Sequence, residues 1–281
     1  MSFNLDLRNY RGLLTSLEGM FPKPTDYFDF PFSALAFGFS LSSSSLLVEG
    51  GVVVRGTKNT RTVINWTHPA ALYSWIVDNR DRYRVKFLNY VSKEKPGGEG
   101  VKIVPGPREF FVHRGYSLLE AIKDRPPNKR KRIAYYLRRG EERYTVSNEV
   151  QPARLLLTLL DDWATEAEKR HFMVVRGHYA AYIRLWEEIR PENVHLIYFR
   201  SLDANNLLYA VAGFEIRGDC AQITLMKHLI GDNAFPIYFW NRTLEEIFSY
   251  GVKKIFCGST ADELKQRMGL EEAKSYKPKL V

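Results

Sequence analysis

The strongest hydrophobic periodicity lies in the second half of the chain. Ala153, Leu156, Leu157, Leu160, Trp163, Ala164 and Ala167 recur at three- and four-residue steps, which predicts an amphipathic helix packed against a sheet. Tyr179, Tyr182, Ile183, Trp186 and Ile189 repeat the pattern, and Pro191 ends that second helix. The period then drops to two in three successive runs, 194–200, 207–217 and 220–229. Asp203-Ala204-Asn205-Asn206 and Gly218-Asp219 join them with turn chemistry, so the runs are expected to form an antiparallel meander. A loop over 231–236, a helix ending at Tyr250-Gly251, a strand over 252–257 and a short helix before Gly269 follow.

Upstream, Ser117-Leu118-Leu119-Glu120 has the spacing of a capping box, and Pro126-Pro127 stops the short helix it begins. Asn128 is expected to cap a further helix that runs to a left-handed Gly140, with Ile133, Tyr136 and Leu137 on one face. In the first hundred residues the pattern predicts strands at 45–55 and 62–66 and a helix over 69–79. The uncharged stretch 30–48 contains Pro31, Gly38 and six serines, reading as strands and a turn rather than a membrane span. Lys95-Pro96-Gly97-Gly98-Glu99-Gly100 is the best break in the chain. It divides an N-terminal domain, 1–105, from a second domain, 106–281.

Composition adds limits. With 281 residues, 45% of them apolar and 14% aromatic, the chain can fill a core without staples. Cys220 and Cys257, the only cysteines, fall in strands, where a buried thiol is the usual occupant. The opening Leu5-Asp6-Leu7-Arg8 does not resemble a secretory leader, so a cytoplasmic protein is expected. The net charge of +9 makes a polyanion a fitting partner. From 123 to 143 there are nine basic and three acidic residues, two thirds of the excess. Lys129, Arg130, Lys131, Arg132, Arg138 and Arg139, interleaved with Tyr135, Tyr136 and Tyr144, suit cation contacts to phosphates and ring contacts to bases; the alternative is a solvated helix face. There is no histidine or cysteine cluster at metal spacing, no Gly-x-Ser-x-Gly elbow and no Walker loop.

The order of elements, two helices, a three-strand meander, then helix, strand and helix, resembles the core of the GNAT superfamily. Within it, the likeness is to the Fem-type aminoacyltransferases and the cellulose-biosynthesis-type acetyltransferases. Their catalytic half opens on a basic helix, here Lys129-Arg130-Lys131-Arg132 through Arg138-Arg139. Their closing tract matches Tyr250-Gly251-Val252-Lys253-Lys254-Ile255-Phe256-Cys257-Gly258 and then Leu264-Lys265-Gln266-Arg267-Met268-Gly269. The likeness spans about 108–275. It implies an α/β fold, a mixed and mostly antiparallel sheet flanked by helices, with residues 1–105 as a degenerate first half in tandem. It also implies an N-acyltransferase or aminoacyltransferase moving an acyl group from acyl-CoA or aminoacyl-tRNA to an amine, with no permanently bound cofactor.

One departure bears on the donor. CoA-dependent members carry a glycine-rich turn whose amides, at a helix N-terminus, hold the pyrophosphate. Here the turn is Gly231-Asp232-Asn233-Ala234-Phe235-Pro236, with an acid and a proline, which shifts weight toward tRNA. Direct attack by an amine needs a proton acceptor, oxyanion donors and positioning. His228 and Glu215, near the open end of the meander, are the candidate bases, with Asp232 a third choice; each is otherwise a strand or loop residue facing water. Tyr238 is a candidate to protonate the leaving group, and Asn241 and Arg242 to grip a phosphate. Lys265 matches the family's lysine near the donor phosphates, the alternative being a solvated surface lysine. Two rival readings stay open: a transferase acting on a nucleobase amine, and a non-catalytic module of the same fold that binds nucleic acid or protein.

Overall fold

The computed structural model describes residues 7–24, 29–39, 45–56, 59–87, 101–106, 108–162, 172–203, 205–229, 232–258 and 261–280. The expected break at 95–100 lies outside them, as do Trp163, Ala164, Ala167 and Gly231. In chain order the helices are α1 (Leu7–Met20), α2 (Pro31–Phe39), α3 (Pro69–Asn79), α4 (Leu118–Ala121), α5 (Pro127–Arg143), α6 (Ala153–Asp162), α7 (Phe172–Ile189), α8 (Phe235–Ser249) and α9 (Asp262–Met268). The strands are β1 (Ser45–Glu49), β2 (Val52–Gly56), β3 (Thr60–Trp66), β4 (Arg84–Phe87), β5 (Val101–Pro105), β6 (Glu109–His113), β7 (Tyr144–Ser147), β8 (Val194–Ser201), β9 (Leu207–Arg217), β10 (Cys220–His228), β11 (Lys254–Gly258), β12 (Glu271–Ala273) and β13 (Tyr276–Leu280). Among the described residues no helix is long and apolar enough to cross a membrane.

The chain forms two compact units, one of Met1–Pro107, Ala167–Pro191 and Lys274–Val281, the other of Arg108–Glu166 and Glu192–Ala273. The first unit therefore takes α7 and β13 from beyond the break near 105. Its sheet runs β1-β2-β3-β4, with β5 and β13 as a separate ribbon. The run 45–55 is two strands, because Gly50 and Gly51 both take positive φ (56° and 81°) and turn the chain as a hairpin. Residues 31–39 are a helix rather than strand and turn. Phe32, Ser33, Ala34, Leu35 and Ala36 are all buried, and a helix apolar on every side shows no periodicity to read. It packs on α7, with the Phe32 and Tyr182 rings edge to face at 5.0 Å.

The sheet of the second unit runs β12-β6-β11-β10-β9-β8-β7. The expected meander is present, β8, β9 and β10 pairing antiparallel. Residues that pair across a ladder share a face. On one face Phe199, Ala210, Ala212, Phe214, Ile223 and Ile255 join Ile133 of α5 and Phe235, Phe239 and Leu244 of α8 in a single core. Here α5 differs from expectation at both ends. It begins at Pro127, and the Asn128 Oδ1 accepts only from the Lys129 amide next to it. It also continues through Gly140, whose φ is not positive. A Cβ at Gly140 would lie 2.1 Å from Tyr238 Cγ, so the glycine serves the close approach of α5 to α8. Ser117 precedes α4 without a side-chain capping bond.

Both units carry one topology. In the first, the antiparallel strands β1-β2-β3 lead through α3 to β4, which pairs parallel to β3. In the second, β8-β9-β10 lead through α8 to β11, which pairs parallel to β10. The last strand of each meander has one extra residue. On β3 it is Ile64, because Val53 faces Asn65 and Val54 faces Val63; on β10 it is Thr224, because Ile223 faces Phe214 and Leu225 faces Gly213. Each bulge follows the last parallel pair among the described residues, Val63 with Phe87 and Gln222 with Phe256.

Candidate active site

The parallel pairing of β10 with β11 lasts three residues, from Cys220 and Lys254 to Gln222 and Phe256. Beyond Gln222 the ladder of β10 with β9 continues to His228, and that of β11 with β6 continues to Gly258. Near this point Lys265, on α9, is fully buried. Its Nζ donates to Cys257 O at 2.6 Å and Gly258 O at 2.8 Å, with the Phe110 and Trp240 rings 5.4 and 5.2 Å away. Burial pulls its pKa from 10.5 down to about 8, against the opposing pull of Cys257, Asp262 and Glu109. The Cys257 thiol is pushed up by burial to about 12 and stays protonated.

The N-terminus of α8, which begins beyond the end of β10, is closed from within the chain. Asp232 Oδ1 accepts from the Ala234 amide at 2.9 Å, Asp232 O accepts from the Phe235 amide at 3.2 Å, and Pro236 has no amide hydrogen. The other carboxylate oxygen, Oδ2, takes Arg143 Nη1 at 3.1 Å and the Tyr144 hydroxyl at 3.2 Å, and Arg143 Nε reaches Asp203 at 2.6 Å. The equivalent helix of the first unit is closed too. His68 Nδ1 accepts from the Ala71 amide at 3.1 Å, and Pro69 occupies the first turn. In each unit an amide at the helix start is bonded within the chain and a proline replaces another.

No protein-family model matches the chain, and no curated protein does. Solved structures do. The chain aligns over 96% of its length with 92% of the C-terminal domain of a putative lysylphosphatidylglycerol synthetase from Agrobacterium fabrum, at 11% identity and TM-score 0.61. It aligns over 95% with 93% of a tandem GNAT protein from the clavulanic acid biosynthesis pathway, at 11% identity and TM-score 0.52. With FemX the figures are 100% and 98%, 9% identity and TM-score 0.55. The chain has a tandem GNAT fold. The duplication of meander, helix, parallel strand and bulge is that tandem seen residue by residue.

Within this GNAT fold the expected site residues do not converge. Glu215 pairs with Gln222, where β10 still adjoins β11, and is buried on the face that also carries Gln222. His228 lies six residues further along β10, about 20 Å away at ~3.3 Å per residue, on the opposite face beside Phe235 and Phe239. The two are on neighbouring strands as expected, but only His228 stands at the open end of the meander. The half-buried His228 ring holds Nδ1 2.7 Å from Leu229 O, which places the proton of a neutral ring on Nδ1 and the basic lone pair on Nε2. Tyr238 is buried between α5 and α8, its hydroxyl 3.4 Å from Tyr144 O and its pKa raised by burial. Asn241 and Arg242 sit past the first turn of α8 and bond to its own Glu245 and Glu246. Lys265 is not a solvated surface lysine.

The basic helix is solvent-facing as its composition suggests. Lys129, Arg130, Lys131, Arg132 and Arg138 are exposed, while Arg139 is half-buried and donates to the Tyr135 hydroxyl at 2.7 Å. Arg132 lies over Tyr136, and Arg138 pairs with Glu142. No ion pair among the described residues engages Lys129, Arg130 or Lys131. The closure of α8 by Arg143, Tyr144 and Asp203 was missed from sequence, because the partners of Asp232 lie 88, 89 and, through Arg143, 60 positions apart. The Asp232 to Pro236 spacing was the one local signal.

Proposed function

We propose that the chain is a transferase that moves an acyl or aminoacyl group onto an amine, with the donor carried on tRNA rather than on CoA. The observation that carries the choice of donor is the closed N-terminus of α8. A pyrophosphate there would meet a carboxylate, a proline and two amides already bonded. The exposed cations of α5 suit a polyanionic donor instead, and a neighbour in fold is named for a lysyl-bearing product. In this reading the neutral amine attacks the ester carbonyl, an N–C bond forms, the C–O bond to the ribose breaks, and the freed hydroxyl takes a proton. His228 Nε2 accepts the proton from the attacking amine, being the basic atom of a half-exposed ring, whereas Glu215 and Tyr238 are sealed away.

The exposed cations equally favour one second reading, in which the acceptor amine belongs to a nucleobase. Calorimetric titration decides the donor. CoA and acetyl-CoA are expected to give no binding heat at millimolar concentration, while bulk aminoacylated tRNA binds with micromolar affinity or better. Micromolar CoA binding would overturn the choice of donor. Loss of transfer to small amines but retention of transfer to duplex DNA would replace the acceptor.

A further inference from the structure

The run Arg80-Asp81-Arg82-Tyr83-Arg84-Val85-Lys86 holds four cations and one acid in seven residues, a denser positive excess than that of the 123–143 segment, and the donor reading makes no use of it. Arg80 and Arg82 lie in the turn that follows α3, and Arg84 and Lys86 on β4, the last strand in the order β1-β2-β3-β4. All four side chains are exposed. Arg80 comes within 4.0 Å of Asp81, whereas Arg82, Arg84 and Lys86 enter no ion pair among the described residues. Arg84 pairs with Thr60 and Lys86 with Thr62, so these two cations share a face of the sheet, about 7 Å apart along the strand. Like charges this close repel, so the array works against stability rather than for it.

The turn that presents these cations is held in place. The Arg82 and Tyr83 amides both donate to Asn79 O, at 3.1 and 3.0 Å, and the Arg84 amide donates to Asn59 O at 3.0 Å. The Arg61 guanidinium lies 4.0 Å over the Tyr83 ring. Gly56 leaves room for it, since a Cβ there would stand 2.5 Å from Arg61 Nη1. Cations on an outer strand discourage edge pairing. That task accounts for Arg84 and Lys86 but not for Arg82, which precedes the strand in a fixed turn. Charges on a backbone already held lose less freedom when they bind.

We propose that Arg82, Arg84 and Lys86 form a phosphate-contacting surface for RNA in the first unit, in addition to the cations of α5. The choice of RNA as the polyanion rests on the donor reading above, while the array itself rests on its own geometry. An anionic membrane fits less well, because interfacial binding also needs an apolar side chain to insert, and none of residues 80–87 is an exposed apolar one. Phosphate contacts carry no sequence information, so different tRNAs bind alike through this surface.

The test is binding of bulk uncharged tRNA across a salt series by the full chain and by two triple variants. One carries Arg82→Ser, Arg84→Thr and Lys86→Thr; the other, on α5, carries Lys129→Ser, Arg130→Ser and Lys131→Ser. Each phosphate contact contributes about 0.7–0.9 to the slope of log affinity against log salt. The first variant is therefore expected to lower that slope by about 2–3, and the affinity at about 0.1 M salt by roughly ten- to hundredfold, with a Tm no lower than wild type. Exchanging the cations for one another, with Arg82→Lys, Arg84→Lys and Lys86→Arg, keeps the slope, which ties the loss to charge. Wild-type slope and affinity in the first variant overturn the inference, and the donor reading survives if the α5 variant loses both. Micromolar CoA binding together with weakened tRNA binding in the first variant sinks the donor reading and leaves the surface standing. A wild type that binds no tRNA sinks both. Phosphatidylglycerol vesicles are the counter-probe: a first variant that loses vesicles yet keeps tRNA assigns the surface to a membrane and overturns the inference. Should that variant not fold, Arg82→Ser alone decides, with a slope lowered by about 0.7–0.9.

Discussion

Gly140→Ala sets two sizeable effects against each other. In the middle of a helix alanine is favoured over glycine by about 1 kcal/mol, and Gly140 lies inside α5 without a positive φ. Taken alone, that gain predicts a more stable protein. The packing predicts the reverse, since the new Cβ would lie 2.1, 2.4 and 2.6 Å from Cγ, Cδ2 and Cβ of Tyr238. Those atoms are at the root of a side chain whose ring is enclosed by Tyr144, Phe199 and Phe235, so it cannot swing aside. The helices must separate by more than 1 Å to restore ordinary contact, and overpacking of this kind costs ~1–3 kcal/mol or more. The upper end applies, leaving a net loss of about 2 kcal/mol and a fall in Tm of roughly 4–8 °C. Urea denaturation of the purified variant measures it. Gly12→Ala in α1, where nothing lies within 4 Å, provides the control and should gain up to ~1 kcal/mol. A Gly140→Ala protein as stable as wild type would refute the close approach of α5 and α8.

Lys265 also predicts a dependence of stability on pH. Its folded pKa, about 8, lies below the 10.5 of the unfolded chain, so between those values the unfolded state binds more protons and stability rises with pH. The cost of burying the charge, on the order of 3 kcal/mol, is present in full below pH 8 and is relieved by about pH 10.5. The stability of wild type relative to Lys265→Met should therefore increase from pH 7 to 10; a flat difference would contradict a buried ammonium. Ala261, just before α9, takes φ 59° and ψ 41°, a left-handed conformation costly for a residue with a Cβ. Ala261→Gly is expected to raise stability by ~0.5–1 kcal/mol in the same denaturation experiment, and a loss would show that this backbone geometry is wrong.

Much of the chain from 108 to 273 was written in its periodicity. The meander at 194–228, the buried stripe through Tyr182, Ile183 and Trp186, and the helix stopped by Gly269 all follow from local patterns whose buried faces repeat at fixed steps. The same holds for the departure at Asp232 and Pro236, because a proline and an acid at a helix start have local consequences. Elements without a one-sided face left no such trace: residues 31–36 of α2 are all buried, and β6 and β12 join the sheet from distant parts of the chain.

The sequence by itself determined the order of elements, the cationic surface of α5 and the absence of a glycine-rich anion turn, since each depends on neighbours a few positions apart. Only the tertiary structure decided that Gly140 is a contact rather than a terminator, that Asp232 is gripped by Arg143 and Tyr144, and that His228 and Glu215 lie on opposite faces of one sheet. It alone turned Lys265 inward, onto the end of β11. The physical reason is that a charged side chain carries no local record of its surroundings. Whether a lysine is solvated or buried depends on which backbone acceptors and rings the rest of the fold brings around it, and those come from β6, α8 and β11.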